Sequence, residues 1–418
     1  MVARGLRTVN PAPWYRSATR EQWKVLWAAM LGWGLDGMDV MLYAFALTTI
    51  QKEFTFTSAQ AGGLASVTLL GSAFGGLGFG YFADRFGRAR ALIYSILFYS
   101  IFTAATATAY SVPELLFWRF LVGIGLGGEW AAGSVLVAEV WPAEHRGKAI
   151  GLVQSGWAFG YIAAALLAAT VMPHHGWRVL FLIGVVPALL TVWVRRQIHE
   201  PEIWRNSQAS RTSIWDSLAL LTRAPLVRNT ALAILLSSFL MFAYWGLFNW
   251  VPAYLASPVS AGGAGMSIVR STSWIVPMQI GAFFGYISFG FFADSLGRRP
   301  SFLIFVLGAA ACVPIYALNA NSPVLLMIMG PLVGFFGHGY FSVFGAMLAE
   351  LFPSSVRGLA QGLCYNAGRG VSVLAPMTIG YIADHHGIGT AIASTSVLYL
   401  AGAAVIYLLP ETKGTRLA

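Results

Sequence analysis

The chain has 418 residues, of which 57% are hydrophobic and only 10% are charged. A mean hydropathy of +0.68 excludes an ordinary soluble domain and predicts an integral membrane protein, whose spans each need about 20 apolar residues. The formal net charge of +10 would indicate nucleic-acid binding in a soluble protein. Because the Lys and Arg residues concentrate in the loops here, we exclude nucleic acid as a partner.

The two cysteines offer neither a disulfide framework nor a metal site. Cys312 and Cys364 both lie within apolar segments and have no histidine partners in the sequence pattern. We therefore expect no metal and no cofactor.

Apolar segments of helix-forming length follow one another along the whole chain. They predict an all-α membrane protein with twelve transmembrane helices in two six-helix bundles, at 25–197 and 229–410. A cytoplasmic N-terminal segment at 1–24, a linker at 198–228 and a tail at 411–418 complete the predicted organisation. The spans are expected at about 25–50, 58–83, 89–110, 113–140, 147–172, 177–197, 229–256, 267–293, 299–319, 322–350, 357–383 and 388–410.

Basic residues mark one side of the predicted bundle. Most Lys and Arg residues lie in the set of alternate loops that includes both termini, whereas the other set holds only Lys52, Arg178 and Arg270. The positive-inside rule then places both termini in the cytoplasm. We expect a multi-pass protein of the cell membrane, most simply a bacterial inner membrane.

Three sequence matches in the same order indicate an internal duplication. The run from Gly80 to Arg88 (GYFADRFGR) matches that from Gly290 to Arg298 (GFFADSLGR), and Glu139 to Gly147 (EVWPAEHRG) matches Glu350 to Gly358 (ELFPSSVRG). A His-His-Gly tripeptide ending at Gly176 recurs at Gly387. The separation is 210 or 211 residues each time, so the two six-span units are predicted to be parallel repeats with a substrate site between them.

Two aspartates interrupt the first apolar span. Asp36 and Asp39 are three residues apart and should share one helix face. A charged side chain near the bilayer centre costs about 2.5 to 3.5 kcal/mol on insertion scales, and such residues usually serve function. Together with Glu129 in span four, they are the candidates for proton coupling.

Two arginines are also predicted within the membrane spans. Arg119 in span four is interpreted as a structural or coupling partner of a span-one aspartate, with substrate contact as the alternative. Arg369 in span eleven is interpreted as the group that holds an anionic substrate, since a guanidinium group can donate two parallel hydrogen bonds to one carboxylate. Pairing of Arg369 with Asp36 or Glu129 is the alternative. Further candidates for lining a substrate cavity are Asn366, Tyr244, Trp245, Asn249, His338 and Tyr340.

The repeated glycine and acid runs resemble the signature loop of the major facilitator superfamily. The resemblance implies that fold and an inner conformational latch, and it assigns gating to the following residues: Asp84, Arg88, Asp294, Arg298, Glu139, Arg146, Glu350 and Arg357. The glycine-rich run from Arg119 to Glu129 resembles the superfamily's motif in the fourth helix, where glycines permit close packing. Leu35-Asp36-Gly37-Met38-Asp39 and Gly127-Gly128-Glu129-Trp130 are similar to the metabolite and sialate proton symporters, a branch that includes bacterial sialic-acid and monocarboxylate transporters.

These observations predict a secondary active transporter. We expect proton-coupled uptake of a small organic acid anion, namely a monocarboxylate, sugar acid or aromatic acid, by alternating access, with the proton gradient as energy source and the monomer as the working unit. A porter of sugars or other neutral metabolites is the alternative within the superfamily, and a channel or receptor is the alternative outside it. No catalytic constellation is found, so an enzyme is not expected.

Overall fold

The predicted spans all form helices in the protein's computed structural model, which describes residues 18–197, 219–224, 226–353 and 356–413. The predicted N-terminal segment and linker therefore lie largely outside the described residues. Over the described residues, nine helical segments are long and apolar enough to cross a membrane. The helices are α1 Arg20–Phe54, α2 Ser58–Phe86, α3 Arg88–Thr106, α4 Val112–Val140, α5 Ala143–Ile183, α6 Ala188–Gln197, α7 Leu226–Phe248, α8 Val251–Ala256, α9 Ile268–Ser295, α10 Arg298–Ala317, α11 Pro323–Gly339, α12 Phe341–Glu350, α13 Arg357–Ser372, α14 Ala375–His386 and α15 Ile388–Leu408.

Several predicted spans are built from two helical pieces. Span six comprises the end of α5, beyond the non-helical Gly176, together with α6. Spans seven, ten and eleven are likewise divided, into α7 with α8, α11 with α12, and α13 with α14. Discontinuous helices are common around transporter substrate sites, because the interrupted backbone lines a cavity.

The sequence duplication is matched by a repeated backbone conformation. Gly87 and Gly297, at corresponding positions in the two signature loops, have φ of 119° and 113°. Gly176 and Gly387, which close the two His-His-Gly tripeptides, have φ of 72° and 82°. L-residues with a side chain rarely adopt this region, so each repeat needs glycine to turn between consecutive helices at these points.

Glycines also bring α1 and α5 into direct backbone contact. A Cβ atom at Gly160 would overlap the carbonyl oxygen of Gly34, and one at Gly156 would overlap that of Met30. Glycines four residues apart on one helix commonly permit such an approach between membrane helices. The middle of α1 is thereby fixed against α5.

The two halves meet closely on the side opposite the chain termini. The Asp384 carboxylate of α14 accepts hydrogen bonds from the backbone N–H groups of Ser58 (2.8 Å) and Ala59 (2.9 Å) in the first turn of α2. On the same side, the Thr272 hydroxyl donates to the Ala165 carbonyl oxygen (3.1 Å). A residue of the second half thus caps a helix of the first half, where a negative charge is favoured.

We expect Asp384→Ala to weaken closure on this side, because two N–H groups of α2 lose their acceptor, typically a loss of about 1 kcal/mol. Spin labels at Lys52 and Val259, both exposed on this side, should report a longer and broader distance distribution. Glu114→Ala is the matched control, since Glu114 accepts from the Tyr110 N–H within one half. An unchanged distribution in Asp384→Ala would contradict the assignment.

Candidate functional site: a charged cavity between the halves

Helix α1 divides its two aspartates between two charged clusters. Asp36 and Asp39 are 2% and 0% exposed, so both are withdrawn from solvent in the middle of the bundle. Asp36 lies beside Glu129 of α4, whereas Asp39 lies beside Arg119 of the same helix. Of the two span-one aspartates, Asp39 is therefore the one that lies next to Arg119.

The carboxyl groups of Asp36 and Glu129 face each other. Gly32, one turn before Asp36, makes room for them, because a Cβ atom there would overlap the Glu129 carboxyl group. Both Glu129 oxygens and Oδ1 of Asp36 are buried and have no hydrogen-bond donor among the described residues. Two adjacent buried carboxylates repel each other, and one shared proton would supply the missing donor.

Arg119 is held by one hydroxyl and two aromatic rings. Its Nε donates to Thr68 Oγ1 (3.1 Å), and its guanidinium carbon lies 5.1 Å and 5.9 Å from the ring centroids of Tyr43 and Phe181. The side chain is 1% exposed, and Asp39 provides the neighbouring negative charge. These contacts hold Arg119 in the first half, while its Nη1 has no hydrogen-bond partner among the described residues.

Arg369 reaches across from the second half. Its Nη1 donates to Ser72 Oγ of α2 (3.2 Å), and its guanidinium carbon lies 5.4 Å from the Tyr365 ring centroid. Within the described residues, Arg369 has no carboxylate within 4.0 Å, although it is 6% exposed. Its nearby acid is Asp36 across the cavity. An added anion could therefore reach this guanidinium without displacing an ion pair.

Several of these groups line one narrow cavity of about 40 Å³. Of the residues predicted from sequence, it is lined by Asp36, Arg119, Arg369, Trp245 and Asn249. Its other walls were not predicted: Trp33, Val40, Tyr43, Ala65, Thr68, Leu69, Ser72, Leu126 and Trp157. The cavity thus combines cationic, acidic and aromatic surfaces contributed by both halves.

Two family models cover the chain. The model described as Major Facilitator Superfamily matches residues 29–282, and the one described as Sugar (and other) transporter matches residues 199–418. The chain belongs to the Major Facilitator Superfamily. This confirms the membership expected from the repeated signature loops and identifies a membrane transporter, not an enzyme.

Relatives of this facilitator cover nearly its whole length. A putative metabolite transport protein of Haemophilus influenzae is 37% identical over 94% of this chain and 98% of its own. A cis,cis-muconate transport protein of Acinetobacter baylyi is 36% identical over 88% of this chain and 89% of its own. The inward-open xylose transporter XylE from E. coli matches with a TM-score of 0.75 at 21% identity, over 95% and 98% of the two chains, which confirms the twelve-helix fold.

Three predicted cavity residues of this facilitator pack elsewhere. Tyr244, His338 and Tyr340 do not line the cavity and belong to an aromatic cluster of the second half. The His338 ring centroid is 3.9 Å from that of Phe248 and 5.2 Å from that of Tyr244. Nδ1 of His338 lies 3.2 Å from the Gly334 carbonyl oxygen. The residues of this cluster were predicted from their span alone, and a span does not reveal which face of a helix meets the cavity.

Asn366 occupies the boundary between the halves. It lies on α13, one turn before Arg369, and is half-buried. A Cβ atom at Gly76 of α2 would lie 3.6 Å from its Oδ1. Its amide is thus close to the first half, one helical turn from Arg369 toward the side of the termini.

The predicted gating residues of the second half form a charged network on the side of the termini. Arg298 bonds Asp294 (2.8 Å) and Glu350 (2.9 Å). Glu411, in the tail, accepts from the Arg298 backbone N–H (2.8 Å), and the Thr412 hydroxyl donates to Glu350 (2.6 Å). Arg88 lies at the start of α3. The side chains of the remaining predicted gating residues lie outside the described structure: Asp84, Glu139, Arg146 and Arg357.

A metal centre has no ligands in the part of the chain that is described. No group of three or more His, Cys, Asp or Glu side chains is positioned there to hold a metal ion.

We expect Arg119→Ala to lower the free energy of unfolding by about 1 to 3 kcal/mol, because it removes the cation beside the buried Asp39 carboxyl group. In Arg119→Ala/Asp39→Ala, the loss should be smaller than the sum of the two single effects. Arg119→Ala/Asp36→Ala is the matched comparison and should show no such coupling, since Asp36 belongs with Glu129. Detergent-based unfolding titrations measure all five variants, and equal coupling in both pairs would contradict the division into two clusters.

Proposed function

We propose that this facilitator is a proton-coupled symporter that takes up small organic acid anions. The observation that carries the proposal is the cavity itself, where Arg369 faces Asp36, and Asp36 in turn lies beside Glu129, whose carboxyl oxygens lack a hydrogen-bond donor. Arg369 binds the carboxylate of the substrate, and the pair of Asp36 and Glu129 carries the coupled proton. A relative that is 36% identical and named for cis,cis-muconate transport supports an organic acid as the substrate.

The balance of buried charge supports electroneutral transport. The buried guanidinium groups of Arg119 and Arg369 face three buried carboxyl groups, those of Asp36, Asp39 and Glu129. One proton shared by Asp36 and Glu129 makes this set neutral. A bound monoanion then requires one further proton, because an uncompensated charge in the bilayer interior is costly. The expected stoichiometry is one proton for each monocarboxylate.

The remaining predicted residues act in positioning and gating. Arg119 orients Asp39, and Trp245 and Asn249 line the substrate path together with Asn366. The network of Asp294, Arg298 and Glu350, with its counterparts in the first half, acts as the latch on the side of the termini, which we place in the cytoplasm. The bundles at 25–197 and 229–410 move as rocking units in the membrane, and the monomer is the working form.

A porter of neutral metabolites is the second candidate, because one matching family model is described as Sugar (and other) transporter. A neutral substrate would leave Arg369 without a new counter-charge in the loaded cavity. Uptake of labelled xylose that exceeds uptake of every acid tested would favour this alternative.

Proton coupling is tested with reconstituted protein and a labelled acid chosen by thermal-shift screening of lactate, benzoate, nicotinate and cis,cis-muconate. We expect wild type to accumulate the acid only when the trans compartment is alkaline. Asp36→Asn/Glu129→Gln should abolish this accumulation yet retain counterflow, since it removes both carboxyl groups that could take up the coupled proton and keeps the side-chain shapes. Glu114→Gln, an exposed change on the same helix, should behave as wild type. Equal accumulation with and without a pH gradient would rule out the coupling.

The anion contact is tested on Arg369. We expect Arg369→Ala to weaken binding of the same acid at least about thirtyfold, as is typical when one partner of a buried charge pair is removed. Arg369→Lys should retain part of the affinity, because it keeps the positive charge but loses the bidentate hydrogen bonding of the guanidinium group. Arg228→Ala is the control, since Arg228 bonds the Leu408 carbonyl oxygen at the surface. Calorimetric titration that gives wild-type affinity for Arg369→Ala would refute the contact.

A further inference from the structure

Three tryptophan rings form the aromatic wall of the cavity. Trp33 of α1 and Trp157 of α5 lie with their ring centroids 4.9 Å apart at an angle of 42°. Trp245 of α7, from the other half, meets Trp157 edge-to-face at 5.9 Å. All three line the cavity next to Asp36 and Arg369. Such rings present flat, polarisable faces that favour flat, unsaturated groups.

The orientation of Trp157 is fixed by the glycine contacts of its helix. Gly156 and Gly160 hold α5 against the backbone of α1, as described above. On the facing helix, a Cβ atom at Gly37 would lie only 3.0 Å from Cδ2 of Trp157. The indole therefore packs against the residue that follows Asp36, and Trp157 is 3% exposed. This contact holds the ring against the helix that carries Asp36.

The indole N–H of Trp157 lacks an acceptor. Its Nε1 is buried and has no hydrogen-bond partner within the described chain. The indole N–H groups of other tryptophans donate hydrogen bonds. That of Trp250 donates to the Pro376 carbonyl oxygen (3.1 Å), and that of Trp177 donates to the Glu53 carboxylate (2.6 Å). Buried indole N–H groups are normally paired. An unpaired donor in a cavity wall is suited to an acceptor that the ligand brings.

We propose that Trp157 is a specificity-determining residue, whose Nε1–H donates to an oxygen of the substrate remote from the carboxylate held by Arg369. The Trp33 and Trp245 rings flank the flat body of that substrate. The substrate class is then a planar, unsaturated or aromatic acid with a second oxygen acceptor. This inference rests on the proposed function, because it takes Arg369 as the carboxylate contact.

Reconstituted protein is assayed for uptake of benzoate, 4-hydroxybenzoate and cyclohexanecarboxylate, which differ in the remote oxygen and in the flatness of the ring. Wild type should take up 4-hydroxybenzoate with a lower KM than benzoate, and benzoate with a lower KM than cyclohexanecarboxylate. Trp157→Phe keeps a ring and removes the N–H. It should raise the KM for 4-hydroxybenzoate about five- to tenfold and that for benzoate less than about twofold.

Trp250→Phe is the matched control, because it removes the N–H of a buried tryptophan that does not line the cavity. The ratio of the two KM values should stay at the wild-type value in this variant, even if its kcat falls. A merely structural role for Trp157 would change both KM values alike, and that result would overturn the inference.

The same assay separates this inference from the function on which it rests. Uptake of cyclohexanecarboxylate or lactate by wild type, without uptake of the flat acids, would overturn the role of Trp157 and leave organic acid transport standing. Failure to take up any carboxylate, lactate included, would overturn both.

Discussion

The cost of burying charge in an apolar bundle is the constraint on which this structure depends. Three acids and two arginines lie in its middle, and α2 helps to accommodate both cations. Its Thr68 and Ser72 hydroxyls, one helical turn apart, accept from Arg119 and Arg369 respectively. Hydroxyls satisfy these donors without neutralising them, so the charges remain able to respond to a proton or an anion. The same helix meets Asp384 at its first turn, which links the charged centre to closure at the far side.

Glycine is the second requirement, because the acids can meet their partners only if the helices approach closely. Gly32 leaves space for the Glu129 carboxyl group, and Gly37 leaves space for the Trp157 ring. The run from Leu35 to Asp39 therefore has two physical roles. Its aspartates provide charge, and its glycine brings an aromatic wall beside them. A side chain at Gly37 would push the Trp157 ring out of its present contact with α1.

The sequence predicts the fold and the charged centre well, but it does not predict the shape of the cavity. Hydropathy and the duplication locate the helices, and the cost of buried charge singles out Asp36, Asp39, Glu129, Arg119 and Arg369. Trp33 and Trp157 give no such signal, since aromatic residues make up 14% of the chain and most of them only pack. His338 and Tyr340 were predicted to line the cavity because of their residue types. His338 instead meets Tyr244 and Phe248, and Tyr340 meets Phe341 and Tyr399. Which way each side chain points depends on tertiary packing that no single span encodes.

The cavity also explains why a proton and an anion would have to travel together. Arg369 attracts Asp36 across the boundary between the halves and donates to Ser72 of the opposite half. A carboxylate that binds Arg369 competes for both interactions, but alone it brings a negative charge close to the acidic pair. A proton on the pair removes that repulsion. Without the substrate anion, however, this proton leaves less negative charge near the Arg369 guanidinium. Only when the proton and the anion bind together is the attraction between Arg369 and Asp36 weakened while the net charge of the cavity stays balanced. The two halves can then separate. In the proposed mechanism, this electrostatic condition makes the fully loaded or the empty carrier the form that rocks.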